Sequence, residues 1–191
     1  MSSMAENALR FAFVKHENQT RINGEPYINH PVEVATYVEN YFKNDKNVDA
    51  LKAVAYLHDT IENTDTTYEE IAYNFNYFIA SLVLELTNDE FMKKSLTKKV
   101  YLTYKMANMS KYALSIKLLD RLANVKDLIH ADEVFRKKYI SETKYILKEL
   151  KQMVKLNELQ KQIINEIYYE LSLYNQKKDK KQNARILVLA S

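Results

Sequence analysis

The chain has 191 residues, 47% hydrophobic and 28% charged, a composition typical of one globular domain rather than of a disordered chain. One glycine and two prolines are too few for the turns of a β-sandwich or barrel, or for glycine-rich loops that bind phosphates in α/β folds, so we predict an all-α fold. A net charge of +3, from 28 basic and 25 acidic residues, argues against a nucleic-acid-binding protein but allows a local basic pocket for an anionic small molecule.

The periodicity of apolar residues predicts helices at approximately 4–17, 31–42, 48–62, 68–75, 78–86, 96–108, 111–129, 133–154 and 158–174. Two pairs have the spacing of a capping box, Ser3 with Glu6 and Thr67 with Glu70, and should begin the first and fourth of these helices. Residues 18–29 contain the single glycine and the first proline, so they are predicted to form a loop.

No repeat or linker divides the sequence, and we expect residues 1–175 to form one domain. The tail, residues 176–191, differs in character, because a lysine cluster precedes the apolar run 186–189. We interpret it as a solvated helix end followed by a segment that docks on the domain. The alternative is a contact with a partner or with a second copy of the chain, which would give a homo-oligomer.

The absence of cysteine excludes disulfide bonds, thiol chemistry and thiolate-ligated zinc or iron–sulfur sites. The N-terminus lacks the apolar stretch of a signal peptide, and no window approaches the roughly 20 apolar residues of a membrane span. We therefore expect a cytoplasmic protein that has no membrane partner.

Two of the four histidines lie where chemistry is expected. His58 precedes Asp59 at the end of an apolar helix, and Glu62 follows His58 by four residues, on the same helical face. The alternative is a core histidine bonded by a neighbour. His30 lies at the start of the second helix, where N-terminal capping is the structural alternative. Of the other two, His16 is expected to be a hydrogen-bonded core residue and His130 a surface residue.

A third segment places Lys117, Asp120 and Asn124 on one polar stripe, for which a solvent-facing charged stripe is the alternative. Together, two imidazoles and two carboxylates from three helices suit a divalent ion such as Mn²⁺, Fe²⁺, Co²⁺ or Zn²⁺. Such an ion polarises phosphoryl oxygens and lowers the pKa of bound water. We predict hydrolysis of a phosphoester or pyrophosphate, with Glu62 accepting the proton of the water or orienting it.

Five stretches, in this order, resemble the HD superfamily and in particular the hydrolase domain of the RelA/SpoT homologues, which degrade the alarmone (p)ppGpp. They extend over about residues 5–130 and read FVKHENQTR (13–21), GEPYINHP (24–31), LHDTIENT (57–64), Leu86-Thr87 followed by Asp89, and KLLDRLAN (117–124). The PYINHP stretch and the combined order are specific, whereas the HD pair alone is not. The resemblance implies an HD-domain helical bundle, with a metal site where several helices converge, acting as a single-domain (p)ppGpp 3′-pyrophosphohydrolase.

The resemblance also implies a metal site that usually holds Mn²⁺. The positions that match the family's ligands are His30, His58, Asp59 and Asp120. Glu62 matches the catalytic acid of a pair that positions the attacking water, but the second member, an aspartate in the family, is Asn63 here. An amide keeps the geometry but loses the charge and cannot act as a base. If the family's aspartate helps to deprotonate the water, this enzyme should be slower or depend more on Glu62.

The substrate is implied in the same way. Arg21 matches a basic residue that stacks on the guanine base, and Lys117 and Asn124 match residues near the ribose and phosphates. The basic residue that often follows Arg21 is replaced by Ile22, which weakens the inference about base specificity. A basic residue of the next helix should contact the distal phosphates, and we choose Lys138 from three neighbours: Arg136, Lys137 and Lys138.

Two other functions stay open from the sequence. The substrate could be another phosphate-bearing nucleotide, first NADPH with release of its 2′-phosphate and then a nucleoside monophosphate. The chain could also be a degenerate HD module that binds a nucleotide without turnover, an interpretation that only Asn63 favours. The retained set of four ligand positions argues against such a module.

Overall fold

The computed structural model describes residues 2–89 and 95–189, with side chains up to residue 174. The regular secondary structure of this part of the chain is helical, apart from an isolated antiparallel bridge between Thr20 and Pro26. The helices are α1 (Met4–Lys15), α2 (Asn29–Tyr41), α3 (Val48–Leu57), α4 (Thr60–Asn63), α5 (Tyr68–Asn74), α6 (Tyr77–Leu86), α7 (Lys98–Ala107), α8 (Lys111–Lys126), α9 (Glu133–Met153) and α10 (Glu158–Leu189). A 3₁₀ turn, Asp127–His130, links α8 to α9. The all-α prediction is confirmed.

The predicted caps form. The Ser3 hydroxyl accepts from the Glu6 backbone N–H at 3.1 Å, and the Glu6 carboxylate accepts from the Ser3 N–H at 3.1 Å. The Thr67 hydroxyl accepts from the Glu70 N–H at 3.1 Å, which starts α5. These bonds satisfy backbone donors that a helix start leaves free, which is why α1 and α5 begin at the predicted residues.

Helix α8 lies at the centre of the fold, and most of its 16 residues are buried. It contacts α2, α6, α7, α9 and α10. A helix enclosed on all sides must bury its polar face as well, and Lys117 and Asp120 are only 8% and 6% exposed. The alternative of a solvent-facing charged stripe is therefore wrong, and these charges need partners inside the protein.

The predicted third helix, 48–62, is interrupted after Leu57. His58 Nδ1 donates to the Ala55 carbonyl at 2.8 Å, and the Thr60 hydroxyl donates to the Leu57 carbonyl at 2.7 Å. These side chains take carbonyls that a continuous helix would bond to backbone N–H groups. Adjacent residues of a regular helix diverge by about 100°, and the break removes that constraint, so that His58 and Asp59 can face one point.

The predicted loop forms over residues 18–28, one residue shorter than expected because α2 begins at Asn29, and it folds back on itself. The Arg21 N–H donates to the Glu25 carbonyl at 2.8 Å, and the Tyr27 N–H donates to the Gln19 carbonyl at 2.9 Å. Gly24, at the tip of this turn, has a φ of 84°, which is left-handed backbone that glycine adopts without strain. His30 then lies inside α2 and is 3% exposed, so the N-terminal capping alternative is wrong.

Helix α10 continues to Leu189, beyond its predicted end at 174. The segment contains no proline or glycine, and its lysines and glutamines favour a helix. The side chains of the lysine cluster and of residues 186–189 lie outside the described part, so docking of the tail stays a prediction. Among the described residues, the helices are too short or too polar to cross a bilayer.

Candidate metal and nucleotide site

Four donor atoms from three parts of the fold converge. His30 Nε2 of α2 lies 3.1 Å from Asp120 Oδ1 of α8, and His58 Nε2 lies 3.2 Å from Asp59 Oδ2 at the break between α3 and α4. The other two edges, His30 to Asp59 and His58 to Asp120, measure 4.0 and 3.9 Å. We call this alternating set the donor ring. Two donors at about 2.1 Å from a shared ion are about 3.0–3.4 Å apart, so the ring is close to the size that one ion needs.

His58 is oriented as a metal ligand. Because its Nδ1 donates to the Ala55 carbonyl, Nε2 of the neutral ring carries the lone pair that faces the donor ring. Among the described residues this buried nitrogen has no hydrogen-bond partner of good geometry. An unsatisfied buried acceptor is costly, and a cation would satisfy it. The donor set is nitrogen and oxygen without sulfur, which suits a divalent ion, and the residues present therefore fit a metal.

Electrostatics also favours a cation at this point. Burial raises the pKa of Asp59, but the facing His58 charge outweighs it and holds the pKa well below its usual range. The pKa of Asp120 is likewise low, because Lys117 and the two imidazoles outweigh burial. Burial opposes the charge of His58, yet the two carboxylates raise the pKa of His58 to about 9. Two ionised carboxylates thus attract positive charge, either protons on the imidazoles or a metal ion.

Asp120 is held by the polar stripe that the sequence predicts. Lys117 Nζ lies 2.8 Å from Asp120 Oδ2, one turn before it. Asn124 Nδ2 donates to Asp120 Oδ1 at 2.6 Å, one turn after it. The structure therefore brings both predicted substrate contacts against a donor-ring residue, where they also orient its carboxylate.

Arg21 lies on one edge of the site, beside Asn124. Its Nη2 donates to Asn124 Oδ1 at 3.1 Å and pairs with Asp127 Oδ2 at 2.6 Å. Asp127 was not among the predicted residues. Its signal in the sequence is its spacing, because it follows Asn124 by three residues and falls on the same face.

The Glu62-Asn63 pair divides between two networks. Asn63 Nδ2 donates to the Tyr27 hydroxyl at 3.0 Å, and that hydroxyl donates to Asp59 Oδ2 at 2.5 Å. Burial and the Asp59 charge raise the pKa of Tyr27, so the phenol stays protonated. Glu62 instead contacts Asn88, which follows α6. Asn63 therefore touches the donor ring through Tyr27, and its side chain does not pair with Glu62.

Lys105 of α7 is a basic residue of this region that the sequence did not reveal. Its ammonium donates to the Thr87 carbonyl. Burial and the Lys117 charge lower the pKa of Lys105 to about 8, although three acidic groups act in the opposite direction: Glu62, Asp89 and Glu85. Lys105 stands 18 residues from Thr87 and belongs to no motif, so only the packing of α7 places it here.

The three basic neighbours on α9 have different surroundings. Arg136 donates through Nε to the Leu128 carbonyl at 2.8 Å and through Nη2 to the Ala131 carbonyl at 2.6 Å, which caps the 3₁₀ turn. Lys137 pairs with Glu133 at 2.7 Å. Lys138 is exposed, and its contact with distal phosphates stays a prediction.

The remaining histidines agree with their predicted positions. His16 is 3% exposed, and its Nδ1 lies 2.9 Å from Gln19 Oε1. Its ring centroid is 4.8 Å from that of Tyr27, so it packs behind the tyrosine that contacts Asp59. His130 is exposed. Neither belongs to the donor ring.

Comparison with known proteins gives the family. A model of the HD-domain family matches residues 8–152, and the chain belongs to that family. The guanosine-3′,5′-bis(diphosphate) 3′-pyrophosphohydrolase MESH1 of Xenopus tropicalis is 37% identical over 123 residues, 63% of this chain and 67% of the relative. Human MESH1 is 38% identical over 123 residues, with the same shares.

Two further relatives support the RelA/SpoT resemblance. The guanosine-3′,5′-bis(diphosphate) 3′-pyrophosphohydrolase of Aquifex aeolicus is 38% identical over 147 residues, which is 72% of this chain but 20% of that protein. The solved structure of a metazoan orthologue of SpoT that hydrolyses ppGpp superimposes with a TM-score of 0.72 and 28% identity, covering 89% of this chain and 96% of the other. The resemblance stated from the sequence motifs is confirmed.

Proposed function

We propose that this chain is a metal-dependent (p)ppGpp 3′-pyrophosphohydrolase, which converts ppGpp to GDP and pppGpp to GTP with release of pyrophosphate. The observation that carries the proposal is the donor ring, because its two imidazoles and two carboxylates lie 3.1 to 4.0 Å from their neighbours in the ring. Three of them, His30, His58 and Asp120, have donor atoms within 4.8 Å of one another. The activity named for the relatives agrees with it. We also propose that the protein acts in the cytoplasm.

A divalent ion held by His30, His58, Asp59 and Asp120 would lower the pKa of a bound water and offset phosphate charge. We propose Mn²⁺, because a nitrogen–oxygen set without sulfur suits it and the family resemblance implies it. Tyr27 supports the set by donating to Asp59. Lys117 and Asn124 fix the Asp120 carboxylate between them.

The proposed reaction is one displacement at phosphorus. The water oxygen bonds to the phosphorus next to the ribose 3′ oxygen, and the bond between that phosphorus and the 3′ oxygen breaks. Glu62 receives one proton of the water and then gives it to the departing 3′ oxygen, which becomes the 3′ hydroxyl. The products are pyrophosphate and the nucleotide with a free 3′ hydroxyl.

The basic groups are proposed to bind the substrate. The planar guanidinium of Arg21 stacks on guanine, and Asp127 and Asn124 hold this guanidinium in place. The Lys117 and Lys105 ammoniums face the phosphates beside the donor ring and offset the negative charge of the diphosphate group that is transferred to water. Lys138, on the exposed side of α9, contacts the distal phosphates.

A substrate panel tests the proposal. Purified protein with Mn²⁺ is offered ppGpp, NADPH and a nucleoside monophosphate, and pyrophosphate and orthophosphate are measured separately. We expect pyrophosphate from ppGpp, and no release in the Asp59→Ala variant. Release of orthophosphate from NADPH would indicate that NADPH, and not ppGpp, is the substrate. Tight ppGpp binding without turnover would indicate a binding module. Repeating the assay with Fe²⁺, Co²⁺ and Zn²⁺ tests the choice of Mn²⁺.

A further inference from the structure

Among the described residues, the Glu62 carboxylate is hydrogen-bonded by Asn88, which lies 26 positions away in the sequence. The Asn88 side-chain amide donates to Glu62 Oε1 and Oε2, both at 2.9 Å. The Asn88 backbone N–H donates to Oε2 at 3.1 Å. Bonds to both oxygens from two groups of the same residue fix the position of the carboxylate and also the plane in which it lies.

The segment that carries Asn88 is anchored on both sides. On one side, the Thr87 hydroxyl donates to the Val83 carbonyl at 2.9 Å, and the Thr87 carbonyl accepts from Lys105. On the other side, the Asp89 N–H donates to the Tyr101 hydroxyl at 2.6 Å. Asn88 therefore reaches Glu62 from backbone that is tied to α6 and α7, so the clamp on Glu62 is part of the packed fold.

Asn63 cannot supply this restraint, although it is adjacent to Glu62. Its amide donates to Tyr27, and its carbonyl accepts from Gln19 Nε2 at 2.9 Å. An asparagine at position 88 donates to the Glu62 carboxylate without bringing a second negative charge beside it. The amide of Asn88 thus restrains Glu62 without placing a second carboxylate beside it.

We propose that Asn88 is the positioning residue for Glu62: it holds the carboxylate in the orientation that receives the proton of the attacking water. The inference rests on the proposed function, since Glu62 has this task only in hydrolysis. Asn88 itself is not required to touch the substrate. Its loss should therefore lower kcat and leave substrate binding nearly unchanged.

The first test is the isosteric variant Asn88→Asp, which keeps the shape and replaces the amide donor with a charged acceptor. A misplacement of about 1 Å at a reacting group costs up to about 100-fold in rate, so we expect kcat for ppGpp to fall about 10- to 100-fold. KM should stay within about twofold of wild type, because the clamp does not bind the substrate. The matched control is Asn108→Asp, an exposed asparagine whose Nδ2 donates to the Tyr104 carbonyl at 2.8 Å; its kcat should not change.

A double-mutant cycle separates positioning from a general structural effect. If Asn88 acts through Glu62, the variant Glu62→Gln/Asn88→Asp should be no slower than Glu62→Gln alone. A structural role would make the two losses multiply, and that result would overturn the inference, as would a wild-type kcat for Asn88→Asp. Thermal unfolding of every variant verifies that it is folded. Wild-type protein that releases no pyrophosphate would instead refute the proposed function, and the inference with it.

Discussion

The Asp59 carboxylate accepts a hydrogen bond from the Tyr27 hydroxyl, and that hydroxyl accepts one from the Asn63 amide. A partner of this kind orients a metal ligand, and its removal typically costs about 10- to 100-fold in metal affinity. We therefore expect Tyr27→Phe to weaken Mn²⁺ binding about 10-fold or more, measured by calorimetric titration. Tyr37→Phe is the control, because Tyr37 donates to Glu33 at 2.6 Å, outside the site. Equal Mn²⁺ affinities in Tyr27→Phe and Tyr37→Phe would show that Tyr27 does not support Asp59.

Lys105 gives the site a pH dependence of known sign. Because its pKa is lowered to about 8, its ammonium is present below that pH and is lost as the pH rises through it. KM for ppGpp should therefore increase above pH 8 in the wild-type protein. In Lys105→Met, KM should be about 10-fold higher at pH 7, an effect of about 1.4 kcal/mol, and nearly constant through this range.

The control for Lys105 lies on the same helix. Lys99 lies over the ring of Tyr145, with its Nζ 4.5 Å from the ring centroid, and Lys99→Met should keep the wild-type KM and its increase. If Lys105→Met shows the same rise in KM as the wild-type protein, the titrating group is not Lys105.

At the residue scale, the candidate ligands came from continuous motifs of the sequence. His30, His58, Asp59 and Asp120 were chosen from such stretches, and all four side chains meet. Asn88 and Lys105 were missed because they reach the site through the packing of α6 and α7, and a single sequence does not give that packing. For the same reason the sequence did not show that the Asn63 amide, which was expected to act with Glu62 on the water, contacts Tyr27.

At the scale of elements, the break between α3 and α4 orients the His58 and Asp59 side chains toward the donor ring. The Thr60 hydroxyl is buried and bonds the Leu57 carbonyl at 2.7 Å. Thr60→Val keeps the shape and leaves that carbonyl without this partner, which should lower the free energy of unfolding by about 1–3 kcal/mol. Denaturant unfolding measures this loss, and Mn²⁺ affinity should fall with it.

Thr36→Val is the matched control for this break. The Thr36 hydroxyl bonds the Val32 carbonyl at 2.9 Å on an exposed face, where water can replace it. We expect a change within about 0.5 kcal/mol there. If Thr60→Val is as stable as this control and binds Mn²⁺ normally, the side-chain bonds at the break do not orient the ligands.

Apolar periodicity and capping residues predicted where most helices begin, because both are local signals. They did not predict the break after Leu57, since it depends on side-chain bonds to carbonyls within an otherwise apolar helix. They also predicted that the last helix ends at residue 174, where the apolar pattern fades. Helix α10 continues to Leu189, because the polar residues that follow still favour a helix.

At the scale of the whole molecule, α8 carries Asp120 and Lys117 through the centre of the fold. Helices α2 and α6 pack against α8, and the α3–α4 break brings His58 close to Asp120. The protein therefore brings several charges into its interior, and a bound cation should stabilise it as a whole. At a Mn²⁺ concentration of about 100 times Kd, the free energy of unfolding should increase by about 2.7 kcal/mol.

Calorimetric titration of Mn²⁺ measures whether the donor ring holds a divalent ion. We expect one ion per chain in the wild-type protein and in Asp65→Asn, whose carboxylate is 87% exposed and pairs with Lys15. In Asp59→Asn and Asp120→Asn we expect loss of binding with the fold intact. A wild-type protein that binds no divalent ion, or donor-ring variants that bind it as tightly as wild type, would show that these side chains do not form a metal site.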